Sequence, residues 1–363
     1  WDALAGDYSC EDGWIRLHTN APHHRAAMAR VLGEHADRSS LAAMVARWQG
    51  HALEQAVVDA GGCAAWMRSA QQWQQHAQGL AVSEEALIAQ RATGEAPTPG
   101  WALLPARPLL GVRVLDLTRI IAGPVATRFL ASLGAQVLRI DPPGWREPTL
   151  EEEINCGKRC AQLDIKTRAG RDRLITLLQH ADVLVHGYRA DALETLGLDA
   201  ESRQRLAPGL VDVSLNAWGW HGPWRNRRGF DSLVQMACGI AEQGMRWQAG
   251  VKPTPLPVQA LDHATGYMMA AAVLEGLRQR RVNGTGWQAR LSLARTALLL
   301  QQHGAAPQGE QRGITPQPHD ALSALEINRW GIGERLRAAA YLPGTPMLCA
   351  APAQLPGSSH PCW

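Results

Sequence analysis

The stretch Gly111–Asp141, GVRVLDLTRIIAGPVATRFLASLGAQVLRID, limits the folds open to this chain more than any other. A strand-length apolar run (Val112, Val114, Leu115, Leu117) is broken at Gly123-Pro124 and followed by an apolar-faced helical run from Val125 to Leu133. Gly134 stops that run, and a second β-rich segment (Val137, Leu138, Ile140) ends at Asp141. Strand, turn, helix, glycine stop and strand make a βαβ unit, the seed of a parallel sheet. Ligands of such sheets bind beyond the carboxyl ends of the strands, so the loop Thr118–Pro124 falls where a ligand is expected. Gly123 lets backbone approach closely there, and the helix N-terminus behind it favours an anion.

The pattern continues downstream. Strands are predicted at 112–117, 136–140, 183–186 and 211–215, alternating with helical runs at 125–133, 169–180 and 199–206. DVLVHG is a continuous apolar run, as strands buried on both faces are. This alternation predicts an α/β fold, a doubly wound Rossmann-like parallel sheet, occupying 109–303. No GxGxxG follows these strands and no GxxxxGK[ST] occurs, which removes most of the support for a nicotinamide or ATP enzyme.

Residues 1–93 read as a smaller mixed, helix-rich domain. Asp12-Gly13 signals a hairpin turn, and helical periodicity runs through 24–32, 41–48 and 53–60. Residues 94–108, GEAPTPGWALLPARP, read as a linker. From 304 to 363 a helix at 320–340 and an extended tail are expected. The chain opens at Trp1 directly on structured sequence, which reads as the loss of an N-terminal portion. Its 363 residues, 46% hydrophobic, suffice for two cores. A net charge of +3 gives no case for nucleic acid. No apolar run reaches the ~18 residues that span a bilayer. Seven scattered cysteines read as reduced thiols in a cytoplasmic protein. Cys156 and Cys160 lack the further ligands of a zinc site, so no metal is expected.

LDLTRIIAGPVATRFLASLGAQVLRID resembles the opening of the class III coenzyme A-transferase family (the CaiB/BaiF group). GKRCAQLDIKT (157–167), ADVLVHGYRADALETLGL (181–198) and LPVQALDHATGYMMAAAVLEGL (256–277) follow in the family's order. LEQAVVDAGGCAAWMRSAQQWQQHAQGLA resembles the family's small domain, which here precedes the large one instead of following it. The resemblance implies an acyl-CoA:carboxylate CoA-transferase, related to formyl-CoA transferases, with acyl-CoA and a small carboxylic acid as substrates and no covalently bound cofactor. It also implies an interlocked homodimer.

Asp262 is the candidate nucleophile. It follows a strand-like stretch, Leu256–Leu261, and precedes an apolar helix, Gly266–Leu277, where a carboxylate reads as an N-cap whose charge the helix end favours. In the family, an Asp in an LxDxxTG setting attacks the acyl-CoA carbonyl; Asp262 matches it, with Thr265-Gly266 in register. His263 is a secondary acid or base candidate. The racemase members carry a Gly-His-Asp triplet where this chain has Gly229-Phe230-Asp231, which disfavours racemisation. For CoA the resemblance implies contacts from Arg119, Ile120 and Ala122 in the first loop, Arg139 (or Arg146) after the second strand, Lys158 and Arg159, Gly187 and Tyr188, and Arg228 within the cluster Arg225, Arg227 and Arg228. The glycine-rich loop of formyl-CoA transferases is not visible. An acyl-CoA isomerase or racemase of the same fold, or a catalytically silent CoA-binding protein, are the alternatives.

Overall fold

A computed structural model describes residues 2–189, 191–304, 315 and 317–363. The chain forms two compact units whose boundaries cut across sequence order. The first gathers Trp1–Leu87, Asn216–Leu261 and Leu291–Gly304; the second gathers Ile88–Leu215, Asp262–Arg290 and Ala305–Trp363. The divisions expected at 93, 108 and 303 are therefore displaced. The N-terminal segment of the first unit ends at Leu87, and the unit also takes in Asn216–Leu261 and Leu291–Gly304.

The first unit opens with β1 (Gly6–Cys10) and β2 (Gly13–Leu17), the hairpin predicted at Asp12-Gly13, with Cys10 opposite Gly13. Helices α1 (Pro22–Leu32), α2 (Arg38–Val45) and α3 (Gly50–Asp59) follow, and β3 (Ala64–Trp66) pairs antiparallel with β2. Tyr8, Ile15, Leu17, Met28, Leu41, Leu53 and Val57 form their shared core. Two short helices, α4 (Ala70–Gln75) and α5 (Ala77–Ser83), complete this stretch; Ser69 and Gln72 cap α4 reciprocally.

The second unit begins with β4 (Ala89–Glu95), so the first two linker residues, Gly94 and Glu95, are strand. Then come β5 (Arg113–Leu117), α6 (Ala122–Ser132), β6 (Gln136–Asp141), α7 (Glu151–Ile154) and β7 (Lys158–Gln162). They are followed by α8 (Arg168–Gln179), β8 (Val183–His186), α9 (Ala200–Leu206) and β9 (Val211–Asn216). After α10 (Asp231–Ala237) and α11 (Ile240–Trp247) of the first unit come α12 (Ala260–Asn283) and β10 (Thr285–Ser292), and α13 (Leu293–His303) belongs again to the first unit. The four predicted strands are β5, β6, β8 and β9. The interleaved helices lie where the apolar spacing placed them: α8 buries Leu174, Leu177 and Leu178, at i, i+3 and i+4, against the sheet.

The sheet has seven strands in the order β4-β10-β9-β8-β5-β6-β7. Strands β9, β8, β5, β6 and β7 run parallel, and β4 joins β10 antiparallel. From β5 the chain moves one way through β6 to β7, then returns to β8 on the other side. The order thus reverses between β5 and β8, which defines the crevice where a doubly wound sheet takes its ligand.

The helix expected at 320–340 is a β-hairpin, β11 (Ala321–Asn328) and β12 (Gly331–Leu336). Two local bonds override the helical composition. The Asn328 side chain accepts the Trp330 N–H in the turn, and Arg335 grips Glu326 across the strands. The strand-like stretch expected before Asp262 carries no strand; α12 starts at Ala260 instead.

Candidate functional site

The loop leaving β5 is set by a buried polar hub beneath it. Asp116, fully buried, accepts hydrogen bonds from the Thr118 N–H and hydroxyl and from the Thr127 hydroxyl of α6. The Lys158 ammonium pairs with it at 3.0 Å and also donates to the Pro124 carbonyl at 3.1 Å. Burial opposes the Asp116 charge, but Lys158, Arg139 and the two hydroxyls outweigh it and hold the carboxyl below its usual range. Gly123 is obligatory here, since a Cβ on it would lie 2.2 Å from the Thr118 side chain. The start of α6 is thereby clamped to β5 and β7, with its first N–H groups at the carboxyl edge of the sheet.

Above the hub lies the crevice between β5 and β8. The Arg119 guanidinium sits between two aromatic rings, 5.2 Å from the centroid of Trp145 and 5.2 Å from that of Tyr188. It donates to the Tyr188 hydroxyl at 3.0 Å and stands 3.7 Å from the buried Asp141 carboxylate. Gly187 is exposed at the end of β8. Ile120, next to Arg119, has φ 67°, a left-handed conformation rare for a β-branched residue. Its N–H donates to Glu147 Oε1 at 2.6 Å.

The N-terminal turn of α12 meets the start of α6. A Cβ on Gly266 would lie 2.4 Å from the Ala122 carbonyl oxygen and 3.0 Å from Val125, so only glycine permits this approach. Asp262 precedes Gly266 by four residues and lies on the same helix face, one turn or ~5 to 6 Å nearer the helix start. It occupies the third helical position instead of the predicted cap, where the dipole still favours negative charge. Asp262 is 6% exposed and Thr265 fully buried, whereas His263 faces solvent. Adjacent positions on the turn point in different directions.

The remaining candidates divide. Lys158 and Arg139 both have side chains that are 0% exposed. The guanidinium of Arg139 is held by Asp141, Glu147 and Asn155, so neither cation presents a donor to a ligand. In this structure both cations, expected to contact CoA, are turned into the fold. Arg146 pairs through two bonds with Glu151. Arg159 projects to the opposite face of β7 from Lys158 and is exposed, 3.5 Å from the His360 carbonyl. In the first unit, Arg228 is exposed near the Gly61 carbonyl, while Arg227 is buried on Glu54 and lies 4.1 Å from the Trp224 ring centroid. With Arg68 on Glu54, and with Trp66, Trp218 and Trp224 beside the two guanidiniums, this cluster accounts for several of the tryptophans. Phe230 stacks on His18 at 3.8 Å. Sequence reasoning missed Glu147, Trp145 and Asp116; the Trp-Arg-Glu-Pro run in the loop after β6 was the available signal.

A cavity of about 380 Å³ runs along the α6 stripe Val125, Arg128, Phe129 and Ser132, and is closed by the hairpin and by 347–352. It reaches α12 at Tyr267 and is not lined by Asp262 or Arg119.

The doubly wound sheet, with its order reversing between β5 and β8 and the carboxylate-bearing helix set against α6, defines a class of α/β proteins whose switch point opens at the sheet's carboxyl edge. The chain belongs to CoA-transferase family III, whose family model matches residues 109–327. It is 31% identical over 243 residues to the probable fatty acyl-CoA transferase Rv3272 of Mycobacterium tuberculosis, covering 63% of this chain and 61% of that protein. To the succinyl-CoA:glutarate CoA-transferase of Mus musculus it is 33% identical over 198 residues, 50% of this chain and 44% of that one. A crystal structure of Rv3272 superposes with TM-score 0.51 at 34% identity, covering 55% of this chain and 57% of the other. The chain spans about half the length of the curated relatives it matches.

Proposed function

We propose that the protein transfers CoA from an acyl-CoA thioester to a carboxylic acid, with Asp262 as the covalent nucleophile. The observation that carries this reading is the contact of Gly266 with the Ala122 carbonyl, which sets the Asp262 face of α12 against the start of α6. The 11-residue helix α6 turns its N-terminal end, with the Ala122 and Gly123 N–H groups, toward the place proposed for phosphate, and Arg119 adds a guanidinium next to it. In the proposed reaction the Asp262 carboxylate attacks the thioester carbonyl and expels CoA thiolate, leaving a mixed anhydride. The thiolate then takes the aspartyl carbonyl and releases the donor acid, and the incoming carboxylate repeats the two steps in reverse. Burial of Asp262 removes water that would compete for the anhydride.

Acyl-CoA racemisation would need a base beside Asp262. Phe230, which stands where the racemase members carry a histidine, cannot exchange a proton, which supports transfer instead. An interlocked homodimer and a cytoplasmic setting belong to the same proposal. Among the described residues no helix is long and apolar enough to cross a membrane.

The test is turnover with succinyl-CoA and glutarate, then with a panel of other acyl-CoA and acid pairs, followed by mass spectrometry of the thioesters. At least one pair should yield a new acyl-CoA, and Asp262→Asn should lower that rate by about a thousandfold or more. Undiminished transfer by the variant, or CoA binding with no turnover on any pair, would contradict the proposal.

A further inference from the structure

Ile120 holds a backbone conformation its own side chain disfavours, one that persists only where the surroundings impose it. One group imposes it. Glu147 Oε1 accepts the Ile120 N–H at 2.6 Å, and the Glu147 carboxylate is itself oriented from two sides. Its Oε2 accepts from Arg139, a buried guanidinium that also grips Asp141 through two bonds and Asn155 through one. The Glu147 N–H donates to Glu151 Oε1 at 2.7 Å, so the backbone that carries the clasp is fixed as well. Trp145, two residues earlier, supplies one of the two rings that flank Arg119. The Trp145–Glu147 segment therefore grips consecutive residues of the β5 loop, one by its side chain and one by its amide.

We infer that Glu147 is a positioning residue for the ligand: by holding Ile120 left-handed it sets where Arg119 and the first amides of α6 meet the phosphates of CoA. The inference rests on the CoA reading above. Glu147 itself is 7% exposed and acts through the loop. The buried Arg139 serves as its anchor, which gives that residue a part in ligand binding without touching ligand. The loop is bent from above by Glu147 and fastened from below by Asp116.

The test compares Glu147→Ala, Glu147→Gln and Ile120→Gly, singly and with Glu147→Ala combined with Ile120→Gly. Affinity is measured by calorimetry for CoA and for pantetheine, which lacks the nucleotide phosphates. Glu147→Ala should weaken CoA about ten- to thirtyfold and leave pantetheine within twofold. Glu147→Gln, whose one carbonyl oxygen can still accept the Ile120 amide but whose NH2 cannot accept from Arg139, should recover part of the loss. In the Ile120→Gly background, where the left-handed turn costs nothing, Glu147→Ala should cost less than threefold. Hydrogen exchange of the peptide spanning 118–122 reads the clasp without ligand: Glu147→Ala should speed the Ile120 amide at least tenfold. Equal CoA affinity in a folded Glu147→Ala protein, or the same loss with and without Ile120→Gly, overturns the inference. Unchanged exchange at Ile120 overturns it even if the parent protein binds no CoA, an outcome that on its own refutes the CoA reading instead.

Discussion

Lys158 and Arg159 are neighbours with opposite fates. On β7 successive side chains point to opposite faces, so one cation enters the core to meet Asp116 and the next faces out. Removing one partner of a buried pair strands the other charge. Lys158→Met should therefore destabilise the protein by about 3–5 kcal/mol, and Arg159→Ala by no more than about 0.5 kcal/mol, as urea unfolding would show. Equal effects would mean the pair is not buried as described. Sequence alone named both cations without separating them, because Asp116 lies 42 residues from Lys158 and only the sheet brings them together. Asp262 was easier to single out, as a carboxylate at the threshold of an apolar helix followed by Thr265-Gly266. Glu147 carried no such mark: it sits in a proline- and tryptophan-bearing loop without periodicity, and its role depends on the backbone angle of Ile120.

At the scale of elements, the approach of α12 to α6 decides where the carboxylate lies. Gly266→Val would drive its side chain into the Ala122 carbonyl and force the helices apart. It should cost about 1–3 kcal/mol in stability and reduce CoA transfer at least tenfold in the folded fraction, measured by thermal unfolding and steady-state kinetics. A variant with parental rate would show that this contact does not position Asp262. The parallel strands were legible because buried strands are short, apolar and β-branched, and glycine breaks them from the intervening helices. The hairpin β11–β12 was not, because alternation over Ala321–Asn328 is weak and its stability comes from the cross-strand grip of Arg335 on Glu326. The start of α12 was misplaced by Pro257, which ends an extended stretch sooner than its apolar composition suggests.

At the scale of the molecule, two units assembled from interleaved segments must each hold their own core. In the first unit His18 and His24 are buried beside Phe230. Burial, reinforced by Arg16, pushes the His18 imidazole down to about 4. Burial, reinforced by His23, pushes His24 down to about 3. The unfolded chain protonates both near the ordinary 6.5, so it binds more protons than the folded unit below that pH. Stability should accordingly fall as pH drops from about 6.5 towards 4, and a protein with His18→Gln and His24→Gln should lose less over that window in calorimetric Tm. An unchanged pH slope would place the imidazoles in water. The central claim concerns one carboxylate, and the most direct measurement is the mass of the peptide containing Asp262 after brief exposure of the protein to acyl-CoA. An acyl or CoA adduct is expected on Asp262, one that hydroxylamine converts to the hydroxamate. Turnover with that peptide unmodified at every time point, or an adduct found on another residue, would contradict it.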